Sequence, residues 1–176
     1  VWSPDGSQLA YGALRGGYWG LYRKTSDGGG IEELLYQHPG GGMRLTDWST
    51  DGRFLSFGVS DLSGGTLYSL PLAGDGEHKP IEVFRTESGV TGPRFSPDNR
   101  FLAYGATTQT GTGEAYVLPF DSSASAGATP VAVPWQVSDQ GLNGGPAVFW
   151  RRDGKEMYYL ALNGGVMVVE VSTTPT

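Results

Sequence analysis

The chain has 176 residues, 38% hydrophobic and 12% aromatic, enough for one packed domain and too apolar for a disordered one. A net charge of −6, with Lys and Arg scattered, argues against the clustered basic face that nucleic acid requires. With no Cys there is no disulfide framework or thiolate metal site, and no run approaches the roughly 20 apolar residues of a membrane span.

Twenty-nine glycines and eleven prolines punctuate short apolar runs, the pattern of a turn-rich all-β chain. In chain order, "WSPDGSQLAYG" at 2–12 predicts a turn followed by a strand. A Gly-rich connection then leads to a strand over "WGLYRK" at 19–24, and "IEELLY" at 31–36 closes the unit. Glu and Leu in that last run also suit a short helix, but its place in the repeat favours a strand.

The cycle then restarts. "MRLTDW" at 43–48 leads into "WSTDGRFLSFG" at 48–58, with further strands at "TLYSLPL" (66–72) and "PIEVF" (80–84). The third copy runs through "VTGPRF" (90–95), "FSPDNRFLAYG" (95–105), "EAYVLPF" (114–120) and "PVAVPWQV" (130–137). The fourth contains "GPAVFW" (145–150), "WRRDGKEMYYL" (150–160) and "VMVVEV" (166–171). The anchoring aromatics Trp2, Trp48, Phe95 and Trp150 are 46, 47 and 55 residues apart, and "DSSASAGAT" at 121–129 accounts for the longest interval.

A period of about 40–50 residues built from four short strands is the signature of β-propeller blades. A lone blade cannot cover both of its faces, so the recurring aromatics are expected between blades. The predicted fold is therefore all-β, a single propeller domain or fragment over 1–176. Its blades fall at about 1–42, 43–89, 90–143 and 144–176, the first lacking its leading strand and the last its fourth.

The element W-S-P-D-G-x-x-L-A-Y, followed by L-Y, resembles the TolB-like, WD40-like (PD40-type) bacterial propeller repeat. The likeness recurs four times along the chain. It implies six to eight blades, so four copies beginning inside a motif read as a piece of a longer protein. Two chains sharing one ring and a four-bladed ring are the other readings. The last copy is similar to the C-terminal blades of bacterial sensor propellers. The resemblance also implies a periplasmic or extracytoplasmic location.

No Gly-x-Ser-x-Gly elbow is present, and "GVSDLSGG" at 58–65 reads as a loop between strands. His38 and His78 read as surface-loop residues without metal partners at suitable spacing. The repeated Asp5, Asp51, Asp98 and Asp153 are expected in two-residue hairpin turns, capping nearby amides. "GDGEH" at 74–78 reads as a solvated turn. No catalytic, metal or cofactor site is expected. The candidate partner-binding residues are Tyr18 and Trp19, at the end of a Gly-Gly loop, and Trp135 in a fourth strand. For Trp19 and Trp135, packing between blades is the competing role.

The functional expectation is a non-enzymatic module that binds a protein or peptide partner, within a larger bacterial envelope or sensor protein. Exposed blade faces and edges lead us to expect homo-oligomers as well, with neither nucleic-acid binding nor membrane insertion. The alternatives are an enzymatic propeller of glycosidase, lyase or lactonase type, or a purely structural fragment. The channel carboxylates of the enzymatic reading could come only from Asp47, Glu87, Glu114 and Asp139.

Overall fold

The computed structural model describes residues 1–73, 78–107, 112–123, 133–138, 142–143 and 148–172. Four antiparallel sheets follow one another along the chain. The first contains β1 (Gln8–Arg15), β2 (Tyr18–Thr25) and β3 (Glu33–His38), with a bridge from Trp2 to Leu9 ahead of them. The second contains β4 (Gly42–Trp48), β5 (Phe54–Asp61), β6 (Gly64–Pro71) and β7 (Ile81–Thr86). In the third, β8 (Gly89–Phe95), β9 (Phe101–Thr107) and β10 (Thr112–Pro119) are joined by the short β11 (Trp135–Gln136) and β12 (Leu142–Asn143), which both pair with β10. The fourth contains β13 (Val148–Trp150), β14 (Glu156–Leu160) and β15 (Val166–Glu170).

The meander order and the strand at 33–38 agree with the sequence reading. The first sheet has only the Trp2–Leu9 bridge in place of a leading strand, and the fourth has no fourth strand among the described residues. In the third copy, only Trp135–Gln136 of the expected fourth strand pairs as one; its first part lies outside the described residues.

The opening turn of each unit is longer than expected. Ser49 donates its amide to the Phe54 carbonyl, closing a loop around Thr50, Asp51, Gly52 and Arg53. The Gly52 amide donates to the Ser49 carbonyl, so Asp51 sits inside a turn and only the next residue is left-handed. That residue is Gly6, Gly52, Asn99 or Gly154, with φ of 71°, 76°, 57° and 73°. A two-residue turn of that mirror-image kind would need positive φ at both central positions, and the aspartates do not adopt it. Such a turn does join β1 to β2, where Gly16 and Gly17 have φ of 58° and 85°.

The cores lie between sheets. One cluster joins Ala10, Leu21 and Leu35 of the first sheet to Met43, Trp48, Leu55 and Phe57 of the second. Another joins Phe54, Leu67 and Val83 to Val90, Phe95, Tyr104 and Phe120 of the third sheet and its flanks. The last joins Ala103, Ala115 and Val117 to Val148, Met157 and Tyr159. Period-2 alternation gives each strand two faces, and here each sheet buries a face against its neighbour.

Truncation in such a slab leaves a cavity that rigid neighbouring sheets fill poorly. Leu67→Ala, at a fully buried site of the second cluster, is expected to cost about 2–5 kcal/mol in urea unfolding. Leu62→Ala, in an exposed hairpin turn, should change stability by less than about 0.5 kcal/mol.

Candidate binding surface

The repeated turns are built alike. Ser3 Oγ donates to Asp5 Oδ1 at 2.6 Å, and the Ser7 amide reaches the same oxygen at 3.0 Å. Ser49 and Arg53 do this for Asp51, and Ser96 and Arg100 for Asp98. In the fourth copy the Arg151 guanidinium replaces the serine and grips Asp153 with two bonds of 2.7 Å. The Ser3 hydroxyl and the Ser7 amide hold the Asp5 carboxyl at about 2, and Arg151 with the Lys155 amide does the same for Asp153. These aspartates fasten their own turns, each on a separate sheet.

Three of the four recurring aromatics are covered. Trp48 is 7% exposed and Phe95 4%, each in the cluster shared with the preceding sheet, and Trp150 packs on the cluster between the third and fourth sheets. Trp2 is 59% exposed, contrary to the expectation that all four rings lie between blades. The other rings are covered by the sheet before their own, and no described sheet precedes Trp2.

The seam between the second and third sheets is polar along the free edge of β8. Thr46 Oγ1 and Ser56 Oγ donate to the Pro93 carbonyl at 2.6 and 2.8 Å, and Ser60 Oγ accepts the Val90 amide at 3.2 Å. Asp47 Oδ2 accepts the Phe95 amide at 2.9 Å. A bulge in β4 at Thr46 aims both side chains across the seam. Burial pushes the Asp47 carboxyl above its usual range, with the Phe95 amide and the Arg94 charge opposing the rise.

Asp47 is therefore a brace between sheets. Glu87 lies exposed between β7 and β8, Glu114 of β10 accepts a bond from Ser138 Oγ, and Asp139 lies outside the described residues. Asp47, Glu87 and Glu114 occupy different structural positions, and no group of three His, Asp or Glu side chains suited to a metal occurs among the described residues.

Both histidines depart from the surface-loop reading, His38 by lying in a strand and His78, which does lie in a connection, by being buried. His38 is the last residue of β3, its ring facing Tyr36 and Tyr68, because the strand continues to pair with β2. His78 is buried just before β7. "GVSDLSGG" forms the end of β5, a turn capped by Asp61, and the start of β6. The Ser63 hydroxyl donates to that Asp61 at 2.6 Å.

The candidate anchors divide. Tyr18 and Trp19 open β2 and lie beyond the Gly-Gly turn, because the turn consumes only two residues. Tyr18 is 51% exposed, whereas Trp19 packs against the first cluster. Trp135 is 53% exposed, with its ring 6.3 Å from Phe101. It borders an apolar groove of about 600 Å³ between the third and fourth sheets, floored by Val117, Val137, Trp150, Met157 and Val169.

Sequence reasoning missed the stacked cross-strand aromatic pairs Tyr11–Tyr22, Phe57–Tyr68 and Tyr104–Tyr116. The signal was available: an aromatic precedes Gly12, Gly58 and Gly105 in the second strands, and a Tyr lies in each facing third strand. It also missed the contact of the Arg94 guanidinium with the Phe149 ring, 4.6 Å from its centre.

Sheets in series, each buried against the next, define the class: a β-propeller. The chain is similar to TolB from Acinetobacter baumannii, at 16% identity and a TM-score of 0.68, over 98% of this chain and 43% of that one. It is also similar to a protein assigned as a TolB from Agrobacterium tumefaciens, at 19% identity and a TM-score of 0.67, over 90% and 51%. A Bacteroides uniformis protein assigned as a 6-phosphogluconolactonase matches at 14% identity and a TM-score of 0.63, over 98% and 50%. The chain thus spans about half the length of these three solved structures. At these identities the likeness is one of fold. No family model matches the chain, and no curated protein matches it. No helix among the described residues is long and apolar enough to cross a membrane.

Replacing the brace separates its two roles. Asp47→Ala leaves the Phe95 amide without its acceptor and is expected to cost about 1–3 kcal/mol, while Asp47→Asn keeps an acceptor oxygen and costs less. Because burial raises this carboxyl, its contribution to stability is greatest below the ordinary carboxylate range and falls as pH rises through the raised folded value. Asp47→Asn should remove that slope from pH-dependent urea unfolding. Asp5 and Asp153 carry the opposite sign: their contribution is present above the ordinary carboxylate range and is lost as pH falls through about 2. Carboxyl NMR titration should place both midpoints near that value.

Proposed function

We propose that this chain is a non-enzymatic propeller module that binds a protein or peptide partner. The observation that carries the reading is the groove beside Trp135: an open apolar trough of about 600 Å³ with a half-exposed indole at its margin. An indole gains much from burial and loses little side-chain entropy, and such residues dominate the energetics of protein interfaces. Exposed Tyr18 is a second anchor on a separate sheet. Carboxylates that serve as turn clamps and a seam brace support a structural role for the acidic residues. Likeness to TolB structures agrees with partner binding and, by resemblance, with a location outside the cytoplasm, as part of a larger envelope or sensor protein.

The test uses the immobilised chain and its Trp135→Ala variant, matched in thermal unfolding, to capture a partner from an extract of the source cells. One protein retained by the parent and lost by the variant is expected; equal recovery by both contradicts the role of the groove. Self-association through blade faces or edges is a separate proposal, read by light scattering at high concentration. A dimer or larger species agrees with it, and a clean monomer rejects it.

A further inference from the structure

The seam between the first two sheets ends in a polar cavity of about 190 Å³, where His38 of β3 faces the β5–β6 hairpin and the end of β7. Its walls are complete within those two sheets and the β5–β6 turn. Strand register builds the main wall. Val59, Thr66 and Arg85 stand opposite one another on β5, β6 and β7, and Asp61 stands opposite Gly64 in the next row. Opposed residues share a face of a sheet, so Asp61 and Arg85 border one space across Thr66. Gly64 places no side chain there. A Cβ at that position would lie 2.1 Å from the Thr86 carbonyl oxygen, and its φ of 134° suits glycine alone. Tyr68 continues the wall beyond Thr66, its ring 6.3 Å from that of His38.

Opposite charges border this space without being joined to each other. Asp61 takes the Ser63 hydroxyl and amide on Oδ1 alone, which holds its carboxyl below the usual range and leaves Oδ2 free. Arg85 gives Nε and Nη2 to Glu82 and keeps Nη1. His38 engages the Gly40 backbone through Nδ1 and keeps Nε2. Among the described residues, neither the Thr66 nor the Tyr68 hydroxyl has a hydrogen-bond partner. We propose that this cavity binds a small zwitterion of the α-amino-acid type, its ammonium on Asp61 and its carboxylate on Arg85 and the Tyr68 hydroxyl. Such a site is separate from the Trp135 groove and does not require the chain to bind a protein.

The balance of charge selects the ligand. A plain anion drawn to Arg85 also meets the repulsion of Asp61 and Glu82, and a plain cation drawn to Asp61 meets that of Arg85. A molecule carrying both charges a few bonds apart satisfies Asp61 and Arg85 together. Size limits it further, because 190 Å³ is below the roughly 300–1,000 Å³ of pockets that take drug-sized ligands. Val59 is the one aliphatic side chain on the walls, so recognition falls on the two charged groups of the ligand. The Arg85 side chain is 61% exposed, and water competes for both charges. Binding is therefore weak and falls as salt rises.

The test titrates glycine, the smallest such zwitterion, into the intact chain at low salt while NMR follows the Tyr68 and His38 rings and the Thr66 methyl group. Saturable shifts at all three are expected. Acetate lacks the ammonium and glycinamide the carboxylate, and the affinity of each should be lower by about tenfold or more, the size of one charged hydrogen bond. Asp61→Asn, which keeps an acceptor for Ser63, should bring glycine down to the affinity of acetate, and Arg85→Gln should bring it down to that of glycinamide. Both side chains are exposed, so the unfolding midpoints of these variants should stay near that of the parent. Unmoved Tyr68, His38 and Thr66 signals overturn the proposal, as does acetate or glycinamide binding as tightly as glycine. Variants that bind glycine as the parent does overturn it too. Trp135→Ala should leave glycine binding unchanged, so failure at this cavity and failure of partner capture are read separately.

Discussion

A sheet with two apolar faces cannot be buried by its own strands, and this constraint governs the molecule. Each of the four sheets has too few strands to curl around a core, so apolar side chains on either face need another sheet. The three hydrophobic clusters all lie between consecutive sheets. The eleven-residue element is repeated because each sheet meets the same requirement. In the second, third and fourth copies its aromatic packs toward the sheet before it, in all four its Asp fastens the turn, and in the first three its second strand supplies a ring to a stacked pair.

The same constraint makes the outer surfaces of the stack informative. At the interior seams, hydroxyls and Asp47 satisfy the backbone of β8, and rings from β3 and β7 cap the pairs on the next sheets. Trp2, Tyr11 and Tyr22 lie on the first sheet, with no described sheet before them, and Phe149, Val166 and Val168 are exposed on the fourth. Between the third and fourth sheets, by contrast, the half-exposed Trp135 borders an open apolar groove. That groove is why the functional proposal favours binding, and the acidic residues, fixed in turns and seams, are assigned to architecture.

The fold was legible because its signals are local and repeated. Alternating apolar strands, Asp-Gly turns and the period itself placed the sheets, and position in the repeat correctly outweighed the helix preference of "IEELLY". What escaped depends on contacts between distant segments. Nothing around Asp47 in the sequence shows that its carboxylate receives an amide 48 residues later. Trp2 and Trp48 have near-identical local sequences yet opposite exposure, because cover comes from a neighbouring sheet. Trp19 is packed and Trp135 half-exposed for the same reason. The turn length was misread because Asp-Gly fits both a two-residue hairpin and a longer turn closed by a serine hydroxyl.

The most direct measurement of the central claim is a double-mutant cycle across one seam, using Phe84→Ala and Tyr104→Ala separately and together in equilibrium unfolding. These rings belong to different sheets and stand 5.7 Å apart. If neighbouring sheets cover one another as described, the two losses will be non-additive, with a coupling of about 0.5–1.5 kcal/mol. Losses that add to within about 0.3 kcal/mol would show that the sheets do not rely on this contact, contradicting the account.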